Sequence, residues 1–151
     1  MKLVSRFFAA IVATTGIVFA FPSQAVCLDE RGVSGYHIPL EKELRTAHLV
    51  AIGTVVSERS AKAPARGLDD GTVYRFKVEE TLRGNRFEHV DLFSENNSGR
   101  FPMDVGQRYL AFVGQDRNTF YVSSCGNSGL LSERALVVDA MRRMTPKRAR
   151  Q

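Results

Sequence analysis

The sequence has few residues of the types that bind metals through sulfur or imidazole. Its 151 residues include two cysteines and three histidines. Neither cysteine has a second cysteine or a histidine nearby at the spacing of a zinc site. The histidines His37, His48 and His89 lie far apart in the chain. This pattern indicates surface or capping histidines, and we predict no intrinsic metal site and no cofactor.

Catalytic motifs are lacking as well. The sequence contains no phosphate loop and no dinucleotide-binding fingerprint. Ser128 lies in a Gly-Asn-Ser-Gly run of the kind that surrounds the nucleophile of chymotrypsin-like proteases, but no base can be identified for it. We therefore predict no catalytic residues and a protein that is not an enzyme. A small hydrolase with an unrecognised site is the least favoured alternative.

The excess of positive charge is confined to the two ends of the chain. The whole chain has a formal net charge of +5, whereas residues 26–141 contain 14 basic and 16 acidic residues, a net charge of −2. The segment 142–151, RRMTPKRARQ, is predicted to be a basic disordered tail. A nucleic-acid-binding domain would carry basic residues on its own face, so no nucleic-acid partner is expected.

The first 25 residues have the layout of a secretory signal peptide. Lys2 and Arg6 precede an uncharged, mostly apolar run from Phe7 to Phe21, and Ser23 and Ala25 are small residues at the −3 and −1 positions of a cleavage site. A retained membrane anchor is less favoured because the run is short for a span. We predict a secreted or periplasmic protein with one domain, residues 26–141, and no membrane span after cleavage.

The two cysteines, Cys27 and Cys125, bracket this domain. An exported chain meets an oxidising compartment, where an even pair of cysteines is expected to form a disulfide. We therefore predict a Cys27–Cys125 bond.

The hydrophobic pattern predicts an all-β domain with flanking helices. A short helix is expected at about residues 40–47, and strands are expected at about 48–58, 72–82, 87–95, 107–114 and 119–125. A closing helix is expected over residues 130–144. Gly53 inside the first strand predicts a bulge or sharp bend. Five strands of this spacing favour a five-stranded OB-fold-like Greek-key barrel, with an open meander or a sandwich as alternatives.

The order of several segments resembles a known family. They are AHLVAIGTVV, YRFKVEETLRG, VDLFSE, VGQRYLAFV and YVSSCGNSGLL, and the two cysteines bracket them. In this order and spacing the chain resembles the tissue inhibitors of metalloproteinases and their small bacterial relatives, which share an OB-fold of the netrin-like type. The resemblance covers roughly Cys27 to Leu131.

The resemblance implies a protein partner, a zinc metalloprotease. In the animal inhibitors the α-amine and carbonyl of the first mature residue, a disulfide-bonded cysteine, chelate the protease's zinc. Here cleavage after Ala25 makes Val26 the first residue, whereas cleavage after Val26 exposes Cys27. The implied contact edge consists of Val26, Cys27, Leu28 and Asp29 beside the turn of Gly126, Asn127 and Ser128.

An alternative function is a periplasmic binding module for a peptide or glycan. OB-folds often bind ligands on the barrel face and in adjoining loops. In this chain the loop is residues 95–103, with the candidate ligand residues Asn96, Asn97, Arg100 and Phe101.

Overall fold

The computed structural model describes residues 27–28, 31–32, 34–64, 69–97 and 99–144. The predicted signal peptide, Val26, Asp29 and residues 145–151 lie outside the described residues. The elements are α1 Leu40–Thr46, β1 Leu49–Ala61, β2 Gly71–Gly84, β3 His89–Glu95, β4 Arg108–Asp116, β5 Thr119–Val122, β6 Gly129–Leu130, a 3-10 turn Leu131–Glu133 and α2 Ala135–Met144.

Five strands form a closed ring of backbone pairings. β1 pairs antiparallel with β2 and β4, β2 pairs antiparallel with β3, and β4 pairs antiparallel with β5. The ring closes between β3 and β5, which run parallel and pair Leu92 with Phe120 and Phe93 with Tyr121. The prediction of a β-rich domain with one helix before the strands and one after them is confirmed.

β1 is irregular at the glycine that the sequence marks. The β1–β2 register shifts between Ile52 and Gly53, so the predicted irregularity of the strand at this glycine is confirmed. A Cβ at Gly53 would lie 2.8 Å from Cε1 of Phe76, so only glycine lets β1 pass this close to β2.

The prediction for the end of the domain is partly wrong. β5 ends at Val122, and Gly129–Leu130 forms the short strand β6, which pairs with β4 through Tyr109 and Leu110. The closing helix therefore begins at Ala135, not near residue 130, because Gly129 and Leu130 pair with β4 and Leu131–Glu133 form a 3-10 turn. It continues to Met144, so Arg142 and Arg143 of the predicted tail are helical.

Two apolar clusters lie on opposite faces of β1 and β4. The cluster inside the ring includes Leu49, Phe76, Leu92 and Val113. The second cluster packs the other faces of the same strands against the two helices, with members from β1, β2, β4, α1 and α2: Val50, Ile52, Leu82, Leu110, Phe112, Val138, Met141, Leu40 and Leu44. Because β1 and β4 are covered on both faces, their sequences LVAI and YLAFV are continuously apolar instead of alternating.

No helix within the described ranges is both long enough and apolar enough to cross a membrane.

Candidate functional site

The predicted disulfide is confirmed. Cys27 and Cys125 are bonded, with their Cα atoms 5.5 Å apart and a separation of 98 positions in sequence. Closing so long a loop in the unfolded chain stabilises the folded state by about 4 to 5 kcal/mol in chain-entropy models. The bond fixes the front of the domain beside the segment that follows β5.

Backbone hydrogen bonds hold the same segment at two further points. Tyr36 N donates to Cys27 O at 3.1 Å, and Ile38 N donates to Cys125 O at 2.9 Å. His37 Nδ1 also lies 2.8 Å from Cys125 O, so the tautomer protonated at Nδ1 donates to it. Both main-chain carbonyls of the disulfide are thus engaged, and the cysteine backbone is held in place as well as the sulfur atoms.

A buried carboxylate ties α1 to the turn after Cys125. Glu43 is only 5% exposed. Its Oε2 accepts hydrogen bonds from the Asn127 backbone N and from Asn127 Nδ2, both at 2.7 Å. Asn127 Nδ2 also donates to Ile38 O at 3.0 Å. Asn127 therefore joins α1, the segment before it and the turn in one polar network.

Gly126 allows this network to form. A Cβ on Gly126 would lie 2.7 Å from the Glu43 carboxyl carbon and would overlap Oε1. Real Cβ atoms do not approach other atoms so closely, so a larger residue would displace the carboxylate. Glycine is therefore required at position 126, because the Glu43 carboxylate occupies the space of a Cβ atom there.

Ser128 is also part of the packing of this turn. It is 3% exposed, and its Oγ accepts a hydrogen bond from Phe112 N on β4 at 2.8 Å. Its carbonyl accepts from Arg134 Nε at 3.2 Å. Within the described part of the chain, these contacts connect the turn to β4 and to the start of α2.

Some residues of the implied contact edge are exposed and others are buried. Leu28 is 54% exposed and Cys27 is half-buried. Asn127 is half-buried, whereas Gly126 and Ser128 are buried. The disulfide brings Cys27 beside the 126–128 turn as the sequence analysis expects.

Glu43 was not among the residues predicted from the sequence. Acidic residues in the first turn of a helix commonly interact with the helix dipole at the surface, but this side chain is buried and bonded to Asn127. A signal was present, because Glu43 lies on the apolar face of α1 that also includes Leu40 and Leu44. A carboxylate on such a face indicates a buried polar partner.

A groove of about 690 Å³ adjoins the predicted ligand loop. It is lined by β3, β5, the end of β4 and the loop after β3: Phe93, Ser94, Glu95, Asn97, Gly99, Asp116, Thr119, Tyr121, Val122 and Ser123. Of the predicted ligand residues, Asn97 lines this groove and Asn96 lines a smaller neighbouring hollow.

The other two loop candidates have different surroundings. The ring of Phe101 packs edge-on against Tyr109, with centroids 6.3 Å apart, and it belongs to the inner apolar cluster. Phe101 N donates to Ser94 Oγ at 3.0 Å. Arg100 is exposed and is not among the groove residues. Phe101 therefore anchors the loop to the domain.

Asn97 holds the loop in shape beside the groove. Its side-chain oxygen accepts from Gly99 N at 2.9 Å, and its Nδ2 donates to Asp69 Oδ2 at 3.3 Å and to Glu95 Oε2. Asn96 N donates to Asp70 O at 2.9 Å. These bonds connect the β1–β2 loop with the loop after β3.

The side chains whose pKa values are shifted lie outside the groove and the turn. Thr54 Oγ1 donates to Glu79 at 2.6 Å and Arg108 Nε donates at 3.0 Å, and these bonds hold the pKa of Glu79 below its ordinary value. The hydrogen bond from Lys62 lowers the pKa of Asp70 and raises that of Lys62. Burial raises the pKa of Tyr109. None of these four groups belongs to the contact edge.

Among the residues that the structure describes, no group of three or more histidine, cysteine, aspartate or glutamate side chains is arranged to hold a metal ion. Comparison of the sequence with models of protein families and with curated proteins gives no match. The fold and site define a β-rich domain with two flanking helices and one long-range disulfide.

Proposed function

We propose that this chain is an exported, non-enzymatic module that binds a partner protein through its disulfide-tethered N-terminal segment. The observation that carries the proposal is the Cys27–Cys125 bond, reinforced by the hydrogen bond from Tyr36 N to Cys27 O. A segment already held in place loses little conformational entropy when it docks. Leu28, exposed next to the disulfide, supplies apolar contact area.

We further infer that the ring of strands is an OB-fold-like Greek-key barrel. The order β1-β2-β3-β5-β4 returning to β1 supports this assignment, as does the parallel closure between β3 and β5. An OB-fold is a five-stranded and partly open barrel. The closure here consists of only two residue pairs, which corresponds to a partial opening.

The partner that fits the resemblance is a zinc metalloprotease. A neutral α-amine and the carbonyl of the same residue close a five-membered chelate on zinc at the position that catalytic water occupies. If Val26 leads the mature chain, both groups belong to Val26. If Cys27 leads, its carbonyl already accepts the Tyr36 N–H and uses its second lone pair for zinc.

The test begins with the exported protein itself. Its intact mass and N-terminal sequence identify the first residue. The mature protein is then assayed against a panel of zinc endoproteases before and after selective acetylation of the α-amine near pH 6.5, where this amine (pKa about 8) reacts ahead of lysine (pKa about 10.4). We expect inhibition of at least one protease, and we expect acetylation to abolish it.

Two further variants make the result specific. An added N-terminal alanine moves the amine away from the disulfide and is expected to abolish inhibition as acetylation does. Glu58→Gln, near the far end of β1, is the control and is expected to inhibit like the unmodified protein. Inhibition that survives both acetylation and extension contradicts chelation, and a panel with no inhibited member contradicts the metalloprotease partner.

The second candidate function, a binding module for a peptide or glycan, is favoured by the groove of about 690 Å³ beside the 95–103 loop. Its volume falls in the range of about 300–1,000 Å³ that ligand pockets occupy. Asn97 is the predicted loop residue that lines it.

A further inference from the structure

The groove forms where two strands of the ring separate. β3 and β5 pair only through Leu92 with Phe120 and Phe93 with Tyr121. The residues that follow along the chain, Ser94 and Glu95 at the end of β3 and Val122 and Ser123 at and just after the end of β5, line the groove. The walls are therefore strand ends fixed by the rest of the ring.

One wall is an aromatic ring held in position by a glycine. Tyr121 is 42% exposed and pairs with Gly114 of β4. A Cβ on Gly114 would lie 2.6 Å from Cζ and 2.8 Å from Oη of Tyr121, so the ring lies directly across the glycine. Packing over Gly114 orients the ring before any ligand arrives, which reduces the entropy lost on binding.

The charged side chains that are described in the groove lining are both acidic. Among the described residues, the lining contains the carboxylates of Glu95 and Asp116 and no lysine, arginine or histidine. Within the described residues, neither carboxylate is in an ion pair, whereas Glu79, Glu80 and Asp91 on the strand surfaces each have an arginine partner. In the described part of the chain the groove therefore has two carboxylates without a cationic partner next to an exposed aromatic ring, and one of them, Glu95, accepts a hydrogen bond from Asn97 Nδ2.

We propose that this groove binds an arginine side chain of an extended segment of a partner protein. A guanidinium group satisfies both features, because its planar fork hydrogen-bonds to carboxylates and its face stacks on aromatic rings. Asp116, two residues beyond the Gly114 that Tyr121 covers, pairs with the guanidinium, and Tyr121 stacks against it. Glu95 adds negative charge at the other end of the groove. This inference deepens the second candidate function and does not depend on the N-terminal contact edge.

The test measures binding of the peptide acetyl-Gly-Ser-Arg-Ser-Gly-amide to the mature protein by titration with ¹⁵N-resolved NMR. The matched probe has citrulline in place of arginine, which keeps the shape and removes the charge. We expect the arginine peptide to shift the amide signals of Phe93, Asp116 and Tyr121, and we expect the citrulline peptide to bind at least about tenfold more weakly.

Variants assign the binding to the groove. Asp116→Asn is expected to weaken binding roughly two- to fivefold, the range that one partly solvated ion pair supports. Tyr121→Leu is expected to weaken it by a similar factor through loss of stacking. Asp139→Asn on α2 removes the same charge outside the groove and is the control, with unchanged binding expected. Thermal unfolding checks that each variant is folded.

Three results overturn the proposal: equal binding of the arginine and citrulline peptides, equal weakening by Asp116→Asn and Asp139→Asn, and shifts confined to residues outside the groove. Binding of a neutral chito-oligosaccharide with shifts in the groove, where the arginine peptide has no effect, also overturns it, but leaves the second candidate function standing with a glycan as ligand. If neither probe shifts the groove residues, that candidate function fails together with the proposal.

Discussion

The carboxylate of Glu43 lies directly against the Cα of Gly126, in the space that a side chain on Gly126 would occupy. This contact brings helix α1 onto the turn that follows Cys125. The position of the proposed contact edge thus depends on a helix residue and a glycine that are 83 residues apart in sequence.

Gly126→Ala is expected to destabilise the protein. The new methyl group would overlap the Glu43 carboxylate, so either the carboxylate or the turn must move, and overpacking of this kind costs about 1 to 3 kcal/mol. The measurement is the free energy of unfolding in urea. Gly99→Ala is the matched control, because a Cβ there meets its nearest neighbour at an ordinary 3.4 Å. Equal stability of the two variants would show that the carboxylate does not occupy this space.

Glu43→Ala and Asn127→Ala are expected to be strongly coupled. Oε2 of Glu43 accepts one hydrogen bond from the Asn127 backbone N and one from Asn127 Nδ2, so Glu43→Ala removes both bonds and Asn127→Ala removes the second. Each loss of a partner for a buried polar group costs about 1 to 3 kcal/mol. A double-mutant cycle on unfolding free energies is expected to give a coupling energy of roughly 0.5 to 3 kcal/mol. Glu41→Ala, exposed on the same helix, is the control. Additive effects of Glu43→Ala and Asn127→Ala would contradict the network.

Most of the strands could be predicted from the sequence because their apolar residues recur at the positions that face the buried side of the sheet. In β2, Tyr74 and Phe76 are buried and Arg75 and Lys77 are exposed, as alternation requires. β6 was missed because two residues have no periodicity, and only the pairing of Gly129 with Leu110 makes them a strand. The OB-fold itself remains an inference from the order of the strands.

The candidate site was predictable only in part, for physical reasons. The disulfide was predicted from an even pair of cysteines in a chain that the sequence analysis expects to be exported. The groove depends on where β3 and β5 separate, which is a property of the register and leaves no local pattern in the sequence. Phe101 was predicted as a ligand residue from its position in a polar loop, but its ring packs on Tyr109.

Reduction of the disulfide is expected to lower stability and to loosen the front of the domain. Loss of the cross-link restores the entropy of a long loop to the unfolded chain, so we expect unfolding free energy to fall by about 2 to 5 kcal/mol. Amide exchange at Tyr36 and Ile38 is expected to accelerate more than exchange at Val113, because their acceptors are the cysteine carbonyls. The Cys27→Ser/Cys125→Ser protein is the control and should not respond to reductant. Unchanged exchange at Tyr36 and Ile38 in the reduced wild-type protein would show that the disulfide does not hold this segment in place.

The Glu79 cluster is expected to make stability depend on pH in the acid range. The hydrogen bonds from Thr54 and Arg108 lower the pKa of Glu79 from its ordinary 4.5, so the folded state binds this proton less readily than the unfolded state does. The stabilisation is therefore fully present above about pH 4.5 and is lost as the pH falls through the lower folded-state pKa. Glu79→Gln is expected to lower unfolding free energy at pH 7 by roughly 0.2 to 1 kcal/mol, since the pair is partly solvated, and the difference from wild type should shrink as the pH is lowered below 4. Urea unfolding from pH 2.5 to 7 measures this, with Glu58→Gln, an exposed strand residue, as the control. A difference between Glu79→Gln and wild type that stays constant across this range would mean that the carboxylate contributes through packing and not through its charge.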